Sequence, residues 1–514
     1  MNYAALFHAT LPETALEIAA LLVLVVDLGF LRKATLQARI AVAALIGIAG
    51  CSAALWAVSI AGPYSAGNDL LLSAGGSAGV AQVAILILTA LTLLLFIDTG
   101  FTRNPGEYVS VVLMAVAGGL LISAAQDLLV IFTGLELLSL DLYILTAFNK
   151  QSGKSAEAAI KYYLFGGMSA AFLLFGFSYL YGISGSTSLH SVILGTYRAL
   201  GTGTGPLLYL SLVMIAVGLA FKVAAVPFHL WAPDTYEGAP APAAAFIASV
   251  SKVASFALLI SIGTASWHFF DSSPGTVYVA VVAHLPGTPA SRPYLDFRSG
   301  WMLILVVLSV ASMVFGNLAA LAQSSVRRLL AYSAIAHAGY ILLGLAFFSY
   351  SNTSAKAILY YIITYGLTTV GAFGVVGVVE RAAGSDRMDA FLGLNKRSPL
   401  LAAVLLILFL SLAGIPPLVG FWAKFNLFAA VLRVGSGRMP ITLVALAIAF
   451  SAVSLYYYLQ VLKRAYVMPA TDETPIRVHP VTLTLLVVIA AAVVAMGCFP
   501  SLLQDWIASF YAAM

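Results

Sequence analysis

Four lysines stand where a cation is costly. Lys161, Lys222, Lys252 and Lys424 fall inside or at the edge of long apolar stretches, in a chain that is 61% hydrophobic and 9% charged. The remaining Lys and Arg residues lie in the gaps between those stretches. A cation at bilayer depth costs about 2.5–3.5 kcal/mol even on insertion-based scales, so it is kept where it faces a protein interior and has work there. One carboxylate, Glu136, is embedded in the same way, in Val-Ile-Phe-Thr-Gly-Leu-Glu-Leu-Leu-Ser. Residues of these types in these places imply movement of charge across a membrane.

Lysine suits such a task because a buried ammonium can give up its proton, whereas a guanidinium stays charged; none of the four embedded cations is arginine. An acid and a base on neighbouring helices hold or release a proton according to how close they sit, so Glu136 with Lys222 or Lys252 forms a candidate switch. A static ion pair that locks helix packing is the structural alternative. For each lysine the alternative is snorkelling to the interface, and for Lys161 an i,i+4 pair with Glu157 also accounts for the residue. Asp141, five positions after Glu136, faces another side of its helix. Histidine relays protons near neutral pH. His229 follows Pro227, and His337 lies deep in Leu-Ala-Tyr-Ser-Ala-Ile-Ala-His-Ala-Gly-Tyr, placed to link the first-half lysines to Lys424. Tyr332, Ser333, Tyr340, Thr364, Tyr365, Thr368 and Thr369 can hold water between helices, and Asp234 and Glu237 read as loop-capping groups. No phosphate loop, dinucleotide fingerprint, haem ligand pair or nucleophile–base set is present. The two cysteines, Cys51 and Cys498, form no Cys-x-x-Cys pair, so no metal or iron–sulfur site is expected on this chain.

The elements that must position these residues are membrane helices. A mean hydropathy of +1.01 over 514 residues excludes a soluble globular protein, and apolar runs of about 20 residues match the roughly 30 Å of bilayer hydrocarbon. Fourteen spans are predicted, at 12–31, 37–61, 77–98, 108–125, 127–148, 157–183, 206–227, 240–266, 299–323, 326–350, 354–380, 398–430, 438–465 and 479–500. Continuous apolarity rather than alternation excludes a β-barrel. No cleavable signal peptide is evident, so the first run is expected to be retained. Odd-numbered loops hold fifteen Lys and Arg residues and even-numbered loops six. Positive residues favour the cytoplasm, which places both termini outside the plasma membrane. The scattered cations imply no nucleic-acid partner. The loop at 267–298, with Pro274, Pro286, Pro289 and Pro293, is then external. The segment from Ser501 to Met514 reads as a short amphipathic helix on the outer surface.

Two predicted spans carry both a lysine and a helix breaker. Pro227 follows Lys222, and Gly414-Ile-Pro-Pro precedes Lys424. Proline removes a helical hydrogen bond, so Pro227 should free the carbonyl of Val223, and Pro416 and Pro417 those of Leu412 and Ala413. The two spans are five apart, so units of five helices, 4–8 and 9–13, would be inverted relative to one another. Interrupted helices at matching places in inverted halves point to a transport site. This gives an all-α polytopic fold divided into 1–107, a first repeat at 108–266, the external loop at 267–298, a second repeat at 299–465, and 466–514 with the last span and the amphipathic tail.

The stretch Phe221-Lys-Val-Ala-Ala-Val-Pro-Phe-His-Leu-Trp-Ala-Pro-Asp-Thr-Tyr-Glu-Gly-Ala-Pro resembles the core of the antiporter-like proton-channel family, which serves respiratory complex I and the multisubunit cation/proton antiporters. Gly393-Leu-Asn-Lys-Arg-Ser-Pro-Leu-Leu-Ala, Ser411-Leu-Ala-Gly-Ile-Pro-Pro, Gly182-Ile-Ser-Gly-Ser-Thr and Leu11-Pro-Glu are similar to the subunit N branch of bacterial NADH:quinone oxidoreductase. The lysine at 424 separates the chain from the subunit M type, and the absence of a long lateral helix from the subunit L type. The resemblance implies that Glu136 and Lys222 form the family's ion pair, that Lys252 is its central relay lysine and Lys424 its outlet lysine. Lys161 also matches a family lysine. It further implies FMN, iron–sulfur clusters, NADH and quinone in partner subunits, none of them on this chain. The implied neighbours are subunit M, small membrane subunits and, indirectly, the peripheral redox arm. The loop at 267–298 is longer than the family pattern.

The expected mechanism begins with quinone reduction in partner subunits, which alters the field at Glu136–Lys222. A proton then passes to Lys252, and charge continues by way of His337 or water to Lys424. The rival readings are a subunit of a multisubunit sodium/proton antiporter, a scaffold whose buried charges only fix packing, and, more distantly, a self-contained solute carrier.

Overall fold

The computed structural model describes residues 7–61, 71–73, 75–199, 205–271, 297–348, 353–434, 437–470 and 474–512. Most of the 267–298 loop lies outside them. The described residues form helices α1 (Leu11–Val25, continued by a π-helical turn, Val26–Phe30), α2 (Leu36–Ala61), α3 (Gly76–Phe96), α4 (Pro105–Ala124), α5 (Leu128–Thr146), α6 (Gly153–Ser184), α7 (Leu189–Ala199), α8 (Gly205–Val223), α9 (Trp231–Gly238) and α10 (Ala241–Asp271). The second half contains α11 (Phe297–Leu321), α12 (Val326–Ala346), α13 (Thr353–Ala383), α14 (Leu394–Arg397), α15 (Pro399–Ala413), α16 (Val419–Val434), α17 (Arg438–Tyr466), α18 (Pro480–Cys498) and α19 (Ser501–Ala512). Strand-type pairing is limited, among the described residues, to isolated bridges.

Twelve of these helices are long and apolar enough to cross a membrane. The run from α1 through its π-helical turn occupies the place of the first predicted span, and α15 with α16 that of the twelfth. The predicted 206–227 span ends early, at Val223, because Pro227 cannot continue it. The predicted 398–430 span is two helices, broken at 414–418. The short helices α7 and α9 were not legible as apolar runs, since neither approaches spanning length.

Helix starts follow their local chemistry. The Asp127 carboxylate caps α5 by accepting from the backbone N–H groups of Leu129 and Val130, and Ser325 caps α12 by accepting from that of Arg328, each satisfying orphan donors of the first turn. Proline opens α1, α4, α15 and α18, where its missing N–H costs nothing.

The loops sort by parity into two ends. At one end Gln126 donates to Ser73 and Ser261, and Thr187 donates to Asp127 at 2.6 Å; these residues come from the second, fourth and sixth connections, their edges, and the last turns of α10. At the other end Arg381 meets Asp98 at 2.6 Å, Ser325 meets Asp386, Arg327 meets Glu380 at 3.3 Å, and Arg328 meets Asp234 at 2.6 Å. A bundle that threads back and forth produces this segregation.

The centre of the bundle is α10, α12 and α13, whose most apolar windows are 100%, 94% and 89% buried, against 22% for α17. Lys252, His337 and Tyr365 therefore sit on the best-shielded axis. The tail helix α19 buries Leu503 and Ile507 and packs Phe510 against Gly79 of α3.

A candidate buried charge relay

The first break ends α8 one residue after Lys222. Ala224 takes a left-handed backbone, φ 59°, and turns the chain. The carbonyl of Phe221 accepts twice at the break, from the backbone N–H of Ala224 at 3.0 Å and from the indole N–H of Trp231 at 2.9 Å. Trp231 in turn stacks on Tyr162 of α6, with ring centroids 4.2 Å apart and nearly parallel planes. The break is thus held by an aromatic clamp that fixes the Lys222 backbone.

Lys222, buried, donates to the hydroxyl of Ser139, one helical turn beyond Glu136 on α5. A direct Glu136–Lys222 ion pair, expected from the family resemblance, is not formed: no contact within 4.0 Å joins them among the described residues. The Oε1 of Glu136 is buried without a hydrogen-bond partner. Ser139 shares the face of Glu136 because i and i+3 are neighbours on a helix. It takes the ammonium that the carboxylate would otherwise hold. Asp141, on another side of α5, is also buried, with its Oδ2 unpartnered.

Lys252 on α10 is 3% exposed. It donates to the carbonyl of Ala334 on α12 at 2.6 Å and lies 5.7 Å from the centre of the Tyr365 ring. His337, one turn along α12 from Ala334, holds the Tyr361 hydroxyl at 2.8 Å through Nδ1. Its ring centroid is 4.9 Å from that of Tyr365 and 5.9 Å from that of Tyr340. His337 Nε2 is buried and unpartnered. It borders a cavity of ≈ 10 Å³ lined also by Thr364, Thr368, Ser411, Leu412 and Ala423, about the room of one water.

Lys424 closes the chain of groups. Its ammonium donates to the carbonyls of Leu412 at 3.1 Å and Ala413 at 2.9 Å, and to Ser451 at 2.8 Å. Those two carbonyls are the ones that Pro416 and Pro417 were expected to free. The ammonium also lies 5.6 Å from the Tyr340 ring centre. A Cβ on Gly414, φ +89°, would come within 3.0 Å of the Lys424 side chain. The left-handed turn and the lysine therefore require one another.

Tyr365, His337 and Tyr340 thus form a continuous aromatic seam between Lys252 and Lys424. His229 is not part of it: it is buried against Phe315, with ring centroids 4.8 Å apart, and Tyr332. Lys161 is set apart as well. Its ammonium pairs with Glu157 at 2.7 Å and with Asp234 at 2.8 Å. Asp234 and Glu237 are not loop caps; they lie on α9 and share Arg328, and Glu237 also takes Lys154 at 3.0 Å. Burial pushes both carboxyls up, but hydrogen bonds from Lys161 and Arg328 to Asp234, and from Lys154 and Arg328 to Glu237, outweigh it and hold both below the usual carboxylate range.

Sequence reasoning missed Ser139, Ser451, Tyr361 and Asn317. Ser139 carried a usable signal, the i+3 spacing from Glu136. Asn317, which donates to the Tyr340 hydroxyl at 3.0 Å and accepts from Tyr457 at 3.2 Å, had none, because its partners come from helices 23 and 140 positions away.

A family model described as NADH:quinone oxidoreductase/Mrp antiporter, TM, matches residues 125–288 and 268–451. The chain belongs to this NADH:quinone oxidoreductase/Mrp antiporter membrane family. NADH-quinone oxidoreductase subunit N 2 of Acidobacterium capsulatum is 45% identical over 99% of both chains. A chain of respiratory complex I from Thermus thermophilus, solved with bound Aureothin, superposes with a TM-score of 0.74 at 32% identity, over 96% of this chain and 98% of that one. A chain of the Mrp complex from a Dietzia strain superposes at 0.78 with 20% identity, over 98% of this chain and 52% of that one, which shows a shared fold. In this family setting the broken helices of the antiporter-type chain frame the lysine seam described above.

Proposed function

We propose that the chain is the N-type membrane subunit of a proton-translocating NADH:quinone oxidoreductase, and that Glu136, Lys222, Lys252, His337 and Lys424 carry its charge relay. The observation that carries the assignment is the full-length 45% identity with a subunit N relative. The relay reading is supported by the seam from Lys252 through Tyr365, His337 and Tyr340 to Lys424.

In this reading NADH, FMN, the iron–sulfur clusters and quinone belong to partner subunits, and this chain responds to them through the field at Glu136. With Glu136 ionised, Lys222 is drawn from Ser139 toward the carboxylate; with it neutral, Lys222 rests on the hydroxyl. Lys222 then passes its proton inward to Lys252. From Lys252 the charge follows the His337 cavity, where one water suffices to link imidazole and broken helix, to Lys424. Lys161, with Asp234 and Arg328, acts at the end of the bundle where the odd-numbered loops meet, and His229 packs beside the path rather than on it.

The topology that goes with this reading has fourteen crossings, the odd-numbered loops in the cytoplasm and both termini outside the plasma membrane. It retains the divisions at 107, 266, 298 and 465, with spans 4–8 and 9–13 as inverted repeats. The two breaks support the repeat, each with a left-handed residue, Ala224 or Gly414. They differ in one respect: Lys222 precedes its break, whereas Lys424 follows it.

The antiporter alternative shares the fold but matches at 20% identity. The deciding experiment is tagged purification of the complex in mild detergent, followed by reconstitution and measurement of protons moved per NADH oxidised. Co-purifying flavin and iron–sulfur subunits with NADH:quinone activity, and lost proton movement in Lys222→Ala, are expected. NADH-independent sodium/proton exchange would replace the respiratory assignment, and unchanged proton stoichiometry in Lys222→Ala would overturn the relay.

A further inference from the structure

One cavity lies away from the relay, between the first turns of α13, the last turns of α16 and the tail helix α19. It has a volume of ≈ 330 Å³ and is lined by Lys356 and Tyr360 from α13, Asn426 and Arg433 from α16, and Gln504 and Asp505 from α19. Its charges stand at an open mouth, with Arg433 and Asp505 exposed and Lys356 half-buried. Neither Lys356 nor Arg433 makes an ion pair among the described residues, and Asp505 pairs with neither. The Lys356 ammonium lies 5.0 Å from the centre of the Tyr511 ring. Two cations facing one concavity repel each other, and an anion between them relieves that repulsion. Tyr360 borders the cavity with a side chain that is 1% exposed.

The setting identifies the occupant. The cavity opens at the ends of two membrane helices, beside an amphipathic helix, at the depth where headgroups lie. Beside the charged groups on α16, Phe425 and Leu432 are 52% and 44% exposed and, seven positions apart, share one helix face, an apolar wall on which acyl chains can lie. Two cations and one carboxylate match a zwitterion that carries both a phosphate and an amine.

We propose that this cavity binds the headgroup of an amino-phospholipid, with its phosphodiester between Lys356 and Arg433 and its ammonium at Asp505. The bound lipid joins α13, α16 and α19. The site is independent of the proton-relay reading, since none of its residues belongs to the relay.

The test uses the intact complex, purified with its native lipid, in wild-type form and as Lys356→Ala/Arg433→Ala. The wild type should retain a tightly bound phospholipid, counted by phosphorus assay and mass spectrometry, that the double variant lacks. After delipidation, phosphatidylethanolamine in mixed micelles should raise the melting temperature of the wild type and leave the variant unmoved, with NADH:quinone activity similar in both. Asp505→Asn leaves both cations in place and removes only the carboxylate, so it should weaken retention of the amino-phospholipid severalfold even if the double variant assembles poorly. Equal lipid content and equal response in all three forms would overturn the site. Full stabilisation by inorganic phosphate alone would reduce it to an anion site, and a stronger response to phosphatidylglycerol than to phosphatidylethanolamine would overturn the role of Asp505.

Discussion

The ammonium of Lys222 rests on the hydroxyl of Ser139, so the acid and base of the first half are separated by one small polar side chain. A hydrogen bond to a charged group is worth about 1.5–3 kcal/mol, roughly tenfold or more in an equilibrium. Ser139→Ala leaves Lys222 only Glu136 to turn to. It should lower proton movement per NADH about tenfold while the complex assembles normally. Dye-quench measurements on proteoliposomes check this, and unchanged pumping would show that Ser139 is mere packing.

Lys424 answers the two carbonyls freed by the Pro416–Pro417 break. Its structural and chemical roles separate by substitution. Lys424→Met leaves both carbonyls without a donor, at a cost of about 1–3 kcal/mol each, and should lower the melting temperature of the complex. Lys424→Arg keeps donors and charge but cannot release a proton. It should retain near-native stability and lose proton transfer. Pumping by the arginine variant at wild-type stoichiometry would mean that Lys424 is only a helix clamp.

The separation between those two roles also shows what the sequence could convey. The freed carbonyls of Leu412 and Ala413 were legible because proline acts on its own helix at a fixed offset. The embedded lysines were legible because a charge in an apolar run has no local excuse. What stayed hidden was pairing between distant helices. Arg328 joins Asp234 and Glu237 across more than 90 positions, and nothing in a linear pattern distinguishes those carboxylates from caps. Ser139 displaced Glu136 as the Lys222 partner for the same reason: spacing places both on one face, and only packing decides which of them the ammonium reaches.

Asp234 and Glu237 predict a pH dependence with a definite sign. Both are held below the usual carboxylate range by their cationic partners. A carboxylate with a depressed folded-state pKa contributes stability that is present above its unfolded value and lost as pH falls through the folded one. The contribution should therefore be complete near neutrality and disappear below about pH 4, the ordinary carboxylate range. Asp234→Asn should melt lower than the wild type near neutral pH, and the gap should narrow as pH falls to about 3.5. A gap that stays constant or widens on acidification would show that the α6–α9–α12 cluster contributes through packing alone.

Ala224 and Gly414 turn the chain at the two breaks with positive φ, 59° and 89°, yet only one is glycine. A left-handed conformation costs a residue with a Cβ roughly 1–2 kcal/mol, so the first break stores strain that the second avoids. Ala224→Gly relieves the strain but loosens the unfolded chain by about 0.5–1 kcal/mol, and the two effects nearly cancel. Ala224→Val adds a β-branch to a left-handed, fully buried position and should melt markedly lower. Gly414→Ala meets two penalties: the strain, and a Cβ 3.0 Å from Lys424 Cδ and 3.2 Å from its Nζ. It should therefore cost stability and proton transfer together, whereas Ala224→Gly should leave both near the wild-type value. Melting curves and proton stoichiometry on the same preparations test the pair. A Gly414→Ala variant that loses neither would show that the ammonium can leave the Leu412 and Ala413 carbonyls without consequence for the relay.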